Sequence, residues 1–240
     1  MKTHGWKNVV YKDIDEMPKN MGTYDNKEWI DKQIDRVSNF DKEVDMSIKR
    51  NKVLIDLVKN IKKEKIVIVD IGGGFGLTYI PLKKETSKSL DYKIIEGKHV
   101  SNAANIFFED NNELSFFSKI EKIKNVDIVY IRSSLQYVEN WEKTVNQIIS
   151  LKPEYVVFSH LAAGDINESF LTVQLWGNQE IPYWVIKEKD LKNIFLNNDY
   201  VLESKNVSED ITSNKLWETF INLSVEKQIN ATISLIFKRT

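Results

Sequence analysis

The chain has 240 residues, of which 42% are hydrophobic and 11% are aromatic. A chain of this length and composition is expected to fold as one sizeable domain that needs neither a disulfide nor a structural metal. Its 34 basic and 35 acidic residues leave a formal net charge of −1, which argues against a uniformly basic nucleic-acid-binding protein. The sequence contains no cysteine, so a disulfide framework, a thiolate zinc site and a cysteine nucleophile are excluded.

The amino-terminal residues carry no apolar stretch of the kind that a secretory signal contains. Nowhere along the sequence do about eighteen apolar residues follow one another, as a membrane-spanning helix requires. We therefore expect a soluble, cytoplasmic protein whose partner is small or neutral, and neither a nucleic acid nor a membrane. The sequence contains no indication of its oligomeric state.

The first predicted elements are two amphipathic helices between residues 26 and 61. Apolar residues recur there at spacings of three and four, at Trp29, Ile30, Ile34, Val37, Val53, Leu54, Leu57, Val58 and Ile61. Each helix has an apolar stripe on one side only, and such a stripe needs a partner. We therefore expect residues 1–61 to form an N-terminal helical cap on a main domain of residues 62–240.

The next elements are strands that alternate with helix-compatible stretches. Residues 66–71 form a continuous, mostly β-branched run that is typical of a parallel strand buried on both faces. Similar segments recur at residues 92–96, 126–132 and 155–160. This alternation predicts a doubly wound α/β sheet. Residues 199–204 and 231–237 are two further candidate strands, and the last is expected to be an antiparallel strand inserted near the edge.

The most informative stretch is the glycine-rich segment of residues 72–76, between the first strong strand and a helix. Its glycines permit a tight turn and a close approach of the main chain to a ligand, and the helix N-terminus offers free N–H groups. Glu96 follows at the end of the next strand, where a carboxylate can accept hydrogen bonds from both hydroxyls of a ribose. The loop and the acid together predict a ligand that contains adenosine. A bare strand-to-helix turn is the alternative interpretation.

Two classes of cofactor are bound by such a loop and acid, and the glycine spacing distinguishes them. Dinucleotide enzymes require G-x-G-x-x-G, but Leu77 stands at the third glycine of that pattern. The pattern present is D-x-G-x-G-x-G, formed by Asp70, Gly72, Gly74 and Gly76. It resembles motif I of the class I S-adenosylmethionine-dependent methyltransferases, and Glu96 stands where their ribose-binding acid stands. The resemblance implies a Rossmann-like, seven-stranded, mostly parallel sheet with an antiparallel strand, and S-adenosyl-L-methionine as the cofactor, converted to S-adenosyl-L-homocysteine.

Further segments resemble a family of methyltransferases associated with bacterial surface-polysaccharide gene clusters. In chain order they are Gly5-Trp6, Gly22-Thr23-Tyr24-Asp25, the glycine loop through Tyr79, Ser133-Ser134-Leu135-Gln136-Tyr137, Leu171-Thr172-Val173-Gln174 and Ile181-Pro182-Tyr183-Trp184. The chain departs from the family after the fifth strand, where Ser159-His160-Leu161 replaces the usual Asp-Arg-Thr. It also departs from the Leu-His-His-Leu pattern that is common after the fourth strand of sugar methyltransferases. Gln136 and Tyr137 replace those two histidines and remove a possible base.

The resemblance assigns cofactor-binding roles along the carboxyl edge of the sheet. It implies that Asp70 binds the methionyl ammonium, that the glycine loop supplies the main chain, and that Glu96 binds the ribose. Phe117 and Ser118 fall where this fold encloses adenine, although a phenylalanine pair is also ordinary core material. The full expected set is Asp70, Gly72, Gly73, Gly74, Gly76, Thr78, Glu96, Phe117, Ser118, Ser133 and Ser134. No metal is expected, because no two histidines have the spacing of metal ligands.

Methyl transfer to a sugar hydroxyl benefits from a general base, for which a histidine is suited near pH 7. His160, at the predicted end of the fifth strand, is the first candidate, with a polar strand-end residue as the alternative. His99 and His4 are weaker candidates. Gln136 is expected to hydrogen-bond the acceptor, and Tyr24 to close over the cofactor or donate to the acceptor, unless it only packs.

The stretch from Leu161 to Ile186 is expected to interrupt the helix after the fifth strand, with residues 162–186 as an acceptor-side insert. Their aromatic, amide and acidic side chains suit a carbohydrate, or alternatively stabilise a loop. The leading hypothesis is O-methylation of a capsular or other surface-polysaccharide sugar or its precursor. The alternatives are methylation of a small metabolite or of a phosphate-type oxygen, and a catalytically inactive scaffold that binds the cofactor.

Overall fold

The computed structural model describes residues 4–42, 44–207 and 223–240. The strands are β1 His4–Trp6, β2 Lys65–Ile71, β3 Ser89–Ile95, β4 Leu114–Phe117, β5 Ile128–Arg132, β6 Tyr155–Leu161, β7 Ala163–Gly164, β8 Phe170–Trp176, β9 Gln179–Lys187, β10 Tyr200–Val207 and β11 Ile233–Arg239. The α-helices are α1 Lys27–Ser38, α2 Val44–Arg50, α3 Lys52–Asn60, α4 Tyr79–Glu85, α5 Lys98–Phe107, α6 Trp141–Ser150 and α7 Glu188–Leu196. Within these residues no helix is both long enough and apolar enough to cross a membrane.

The chain divides into two compact units. The glycine-loop unit contains Asp25–Arg132 and Leu151–Val157. The hairpin unit contains the described parts of Met1–Tyr24, Ser133–Ser150 and Phe158–Thr240.

Seven strands form the main sheet, in the order β10-β11-β6-β5-β2-β3-β4. β2 pairs in parallel with β3 on one side and with β5 on the other, and β3 pairs in parallel with β4. β10 and β11 are antiparallel, and β11 lies inside the edge, between β10 and β6. The predicted doubly wound, mostly parallel sheet with an inserted final strand is therefore confirmed. Because the strand order reverses at β2, the loop after β2 lies where open α/β sheets bind ligands.

The N-terminal helical region consists of three α-helices instead of the two that the sequence predicts. α1 begins after Asn26, whose side chain accepts a hydrogen bond from the N–H of Trp29 at 2.9 Å. Asn51 separates α2 from α3, and its side-chain amide donates to the carbonyl of Ser47 at 2.9 Å. Its Oδ1 accepts a hydrogen bond from the hydroxyl of buried Tyr130 in β5 at 3.1 Å. This bond attaches the helices to the sheet within the glycine-loop unit. The domain boundary at residue 61 stays a prediction.

The stretch that was expected to interrupt the helix after the fifth strand consists largely of strands. In the hairpin unit β8 and β9 are an antiparallel hairpin, and the smaller sheet has the order β1-β8-β9-β7. Gly177, with φ of +56°, occupies the two-residue turn between them, where a positive φ is required. Ile181, Tyr183 and Val185 are the alternate buried residues of β9, and Tyr183 and Val185 pack in one cluster with Phe170. Polar residues and Pro182 within the hairpin obscured this alternation in the sequence.

Asp127, just before β5, provides a test of how the sheet of the glycine-loop unit is held together. Its Oδ2 accepts a hydrogen bond from the N–H of Val67 in β2 at 2.8 Å, and its Oδ1 is 2.7 Å from Nζ of Lys63. We expect Asp127→Ala to lower the free energy of unfolding by about 1–3 kcal/mol, because the Val67 donor loses a charged acceptor.

Asp127→Asn is the matched control, because it keeps an acceptor for Val67 and removes only the exposed ion pair, at a cost below about 1 kcal/mol. Urea denaturation of both variants measures the difference. Equal losses in the two variants would show that the ion pair, and not the hydrogen bond to Val67, stabilises this edge of the sheet.

Candidate functional site

The glycine loop leaves β2 through main-chain conformations that favour glycine. Gly72, Gly74 and Gly76 have φ values of +71°, +59° and +77°, in the left-handed region that side chains with a Cβ rarely adopt. The N–H of Gly72 donates to the carbonyl of Ile95 at 2.8 Å and so fixes the start of the loop to the end of β3. Three of the predicted glycines thus have a conformational reason to be glycine.

Gly73 and Gly74 also lack space for a side chain. A Cβ added to Gly73 would lie 2.5 Å from Oδ2 of Asp70, and one added to Gly74 would lie 2.7 Å from Oε1 of Gln33. Both distances are well below an ordinary contact. The main chain of the loop therefore lies directly against the carboxylate of Asp70 and against the amide of Gln33, a residue of α1 that the sequence analysis did not select.

Asp70 is the most deeply buried acid of the site, with 1% of its surface exposed. The hydroxyl of Tyr92 donates to its Oδ2 at 2.7 Å, and Thr78 in turn hydrogen-bonds Tyr92. Burial raises the pKa of Asp70 to about 7, and the neighbouring charge of Glu96 adds to the rise. The hydrogen bond from Tyr92 and the positive charge of Arg132 oppose it. Near neutral pH this carboxyl group can therefore gain or lose a proton when a charged ligand binds.

Glu96 lies immediately after β3, with each carboxylate oxygen fixed by the main chain. The N–H of Gly74 donates to Oε1 at 2.8 Å, and the N–H of Gly97 donates to Oε2 at 3.1 Å. Burial raises the pKa of Glu96, the charge of Asp25 raises it further, and these two hydrogen bonds lower it. Each oxygen keeps a second lone pair for a ligand donor. The predicted acid is thus held beside the predicted loop.

Asp25 is a residue of this site that the sequence analysis missed. Its Oδ1 accepts hydrogen bonds from the N–H groups of His99 and Val100, both at 2.9 Å, and so caps the N-terminus of α5. A Cβ on Gly97 would lie 2.5 Å from Oδ1 of Asp25. The sequence carries one indirect signal for such a residue. The predicted helix α5 follows Gly97, which has no side chain to cap it, so a side chain from elsewhere in the chain is needed at its N-terminus. The exposed His99 thus contributes its main chain to this contact.

The end of β4 lies beside the same acid. The carbonyl of Phe117 accepts hydrogen bonds from the N–H of Glu96 and from Oγ of Ser101, both at 3.0 Å. Phe117 is half-buried, whereas its neighbour Phe116 is buried and stacks on Phe108 in the core. Ser118 is exposed. The role of Phe117 and Ser118 at adenine stays a prediction.

The remaining predicted site residues lie in the hairpin unit. Ser133 follows β5 directly, and His160 lies next to the last residue of β6. Their φ values are +51° and +52°, an uncommon conformation for residues other than glycine. The N–H of Ser133 donates to the carbonyl of Ser159 at 2.9 Å. Gln136 is buried, and its Nε2 donates to the carbonyl of His160 at 3.4 Å. The structure therefore brings together Ser133, Ser134, Gln136 and His160 at the ends of β5 and β6, while the glycine loop and Glu96 belong to the glycine-loop unit.

Tyr24 lies in an aromatic cluster of the hairpin unit. Its hydroxyl donates to Oε1 of Gln174 at 2.7 Å, and its ring packs edge-on against Tyr137 and Trp176. Burial raises the pKa of Tyr24 to about 12, with a smaller opposing effect of the hydrogen bond from Tyr137. Tyr24 therefore remains a protonated phenol and can act as a donor, but not as a base, near pH 7.

Most of the aromatic side chains expected to face a carbohydrate are core residues. Trp176 is 7% exposed and Tyr183 is 3% exposed, so their rings are not free to stack on a ligand. The alternative given for them, stabilisation of the local structure, agrees with this burial. His4 lies in β1. Across the part of the chain that the structure describes, no group of three or more histidines and acids could hold a metal ion.

Comparisons with known proteins agree with this geometry. The family described as methyltransferase domain matches residues 46–205. The CcbJ methyltransferase of Streptomyces caelestis superposes with a TM-score of 0.53 at 10% identity, over 80% of this chain and 90% of that chain. Magnesium protoporphyrin IX methyltransferase of Synechocystis PCC 6803, solved with bound S-adenosylhomocysteine, superposes with a TM-score of 0.53 at 12% identity. The match covers 83% of this chain and 86% of that chain.

The glycopeptide N-methyltransferase MtfA, solved with S-adenosylmethionine, gives a TM-score of 0.51 at 8% identity, over 80% of this chain and 94% of that chain. No curated protein matches the sequence. At these identities the structural similarities show the fold alone, which is the Rossmann-like fold of class I methyltransferases. Since the family match extends over well more than half of the sequence, this chain belongs to the methyltransferase domain family.

Proposed function

We propose that this protein transfers a methyl group from S-adenosylmethionine to an acceptor. The observation that carries the proposal is the carboxylate of Glu96, held beside the glycine loop by the N–H groups of Gly74 and Gly97. A carboxylate fixed in this way at the end of β3 is pre-arranged to accept both hydroxyls of a ribose. The two structurally similar enzymes solved with S-adenosylmethionine or S-adenosylhomocysteine support the choice of cofactor.

Each part of the glycine-loop unit has a role in this proposal. Glu96 accepts the ribose hydroxyls, the main chain of Gly72–Gly76 approaches the ligand closely, and Asp70 pairs with the amino group of the methionyl end. Phe117 provides an apolar surface for adenine. When bound, S-adenosylmethionine supplies a methyl group that is already activated by its sulfonium charge. The protein then has to orient the acceptor and exclude water, which is the larger part of catalysis in such a reaction.

For the acceptor we propose a hydroxyl group of a bacterial surface-polysaccharide sugar or of its precursor in the cytoplasm. The resemblance of the motif order to methyltransferases of surface-polysaccharide gene clusters supports this assignment. The polar groups of the hairpin unit support it too, since Gln136, Gln174 and Tyr24 are uncharged donors and acceptors suited to hydroxyl groups. His160, at the end of β6, acts as the general base. Its left-handed φ is a local strain of the kind that is retained at functional sites.

Glu96→Ala tests the proposed ribose contact. We expect the affinity for S-adenosylhomocysteine to fall by about 2 kcal/mol, or roughly 30-fold, because a charged acceptor is removed from two hydroxyls. Isothermal titration calorimetry measures the change. Glu64→Ala is the matched control, because Glu64 is an exposed acid of the same unit. Unchanged affinity in Glu96→Ala would place the ribose elsewhere.

The raised pKa of Asp70 predicts that cofactor binding is coupled to the release of a proton. Its pKa of about 7 in the ligand-free protein lies above the ordinary value of 3.8. A bound ammonium favours the ionised carboxylate and lowers this pKa, so binding releases a proton below about pH 7 and hardly any above about pH 8. Affinity for S-adenosylhomocysteine should therefore weaken as the pH falls from about 8 to about 6.

Calorimetry in two buffers of different ionisation enthalpy counts the released protons. Asp70→Asn is the isosteric control, since its side chain does not titrate and its proton release should largely disappear. Identical proton release in the wild type and in Asp70→Asn would assign the linkage to another group and remove Asp70 from the ammonium site.

His160→Ala tests the proposed base. We expect turnover to fall by about 100-fold or more while the affinity for S-adenosylhomocysteine stays unchanged, because the imidazole takes a proton from the acceptor hydroxyl. The assay follows a radiolabelled methyl group into surface-polysaccharide extract. His99→Ala is the control, because the exposed imidazole of His99 has no assigned role. Wild-type turnover in His160→Ala would leave His160 as a strand-end residue, and cofactor binding without transfer by the wild type would favour a scaffold.

A further inference from the structure

Two buried nitrogen atoms of the glycine-loop unit have no hydrogen-bond partner among the residues that the structure describes. They are Nε2 of Gln33 and Nε of Arg132. Gln33 is only 1% exposed, and it is the one buried residue of α1, whose other residues are partly or fully exposed. Buried donors are nearly always paired, and an unpaired one is costly. Both side chains therefore have an unused capacity for an acceptor that the chain itself does not supply.

Both donors lie at the glycine loop. The amide of Gln33 lies against Gly74, since a Cβ on Gly74 would be 2.7 Å from its Oε1 and 3.2 Å from its Cδ. Arg132 ends β5, which pairs with β2 so that Tyr130 stands opposite Asp70 and Ile131 opposite Ile71. Arg132 is thus the next position along that edge, beside the start of the loop. Its positive charge also acts on the carboxyl group of Asp70.

The charges at the loop restrict what can bind to these donors. Asp70, Glu96 and Asp25 are three acids at the loop and at the ends of the adjoining elements. Burial raises the pKa of Asp70 and of Glu96, and the charge of a neighbouring acid adds to each rise. A phosphate group would bring further negative charge toward these acids. An amino-acid end group carries one ammonium and one carboxylate on the same carbon, so it can pair with an acid and with a cation at neighbouring positions.

We propose that Arg132 and Gln33 bind the carboxylate of the amino-acid end of the cofactor, while Asp70 binds its ammonium. This inference rests on the proposed use of S-adenosylmethionine and names two binding residues that the glycine motif does not contain. Arg132 supplies a charge-assisted donor and Gln33 a neutral one, and the pair distinguishes a methionyl end from a nucleoside that lacks it.

The test compares two ligands on four proteins by isothermal titration calorimetry of the full chain. The ligands are S-adenosylhomocysteine and its decarboxylated form, which keeps the ammonium and lacks only the carboxylate. The proteins are the wild type, Arg132→Met and Gln33→Glu, with Lys52→Met as a control that removes an exposed cation of α3. We expect the wild type to bind S-adenosylhomocysteine about 10-fold or more tightly than the decarboxylated form.

In Arg132→Met the affinity for S-adenosylhomocysteine should fall by about 10-fold. Its affinity for the decarboxylated form should stay within about twofold of the wild-type value. Gln33→Glu should weaken the binding of S-adenosylhomocysteine only, because it replaces a hydrogen-bond donor by a negative charge. This variant tests the same inference on α1 if Arg132→Met does not fold. Equal weakening of both ligands, or an unchanged preference for the carboxylate in both variants, overturns the inference. The proposed function stands in that case if Glu96→Ala still weakens binding, and it fails if the wild type binds neither ligand.

Discussion

Two main-chain hydrogen bonds to one side chain organise the ligand-binding edge of the glycine-loop unit. The carboxylate of Glu96 accepts from Gly74 in the loop after β2 and from Gly97 at the start of α5. Hydrogen bonds to a charged group contribute about 1.5–3 kcal/mol each when partly buried, enough to hold a glycine segment that would otherwise have many conformations. Because the same acid lies after β3, the loop, the strand end and the helix start are fixed to one another before any ligand arrives.

The electrostatic character of this edge follows from that arrangement. Acidic side chains predominate at this edge, and burial raises the pKa of Asp70 and of Glu96. A positively charged ligand group therefore favours the ionised form of these carboxyl groups. The pattern suits a ligand with an ammonium and a sulfonium better than one with phosphates. A Rossmann-like sheet commonly binds nucleotide phosphates at this position, and here the side chains, rather than the fold, favour a different cofactor class.

The sheet and the glycine loop could be predicted from the sequence because both depend on local signals. A β-branched run, three alternate glycines and an acid after the following strand are visible without any tertiary information, and they lie where predicted. Asp25 and Gln33 could not be found in that way, because their contacts join positions far apart in the chain. The β8–β9 hairpin was missed for another reason, since Pro182 and the polar residues around it conceal an inward-facing alternation.

The contact between Asp25 and Gly97 constrains how relatives of this protein can diverge. The carboxylate that caps α5 occupies the volume that any larger residue at position 97 would need. A lineage that gains a side chain at position 97 must therefore lose or shorten the acid at position 25, and must then stabilise the helix start by other means. Sequences of this group should thus show correlated replacement at two positions that a local motif search would treat as unrelated.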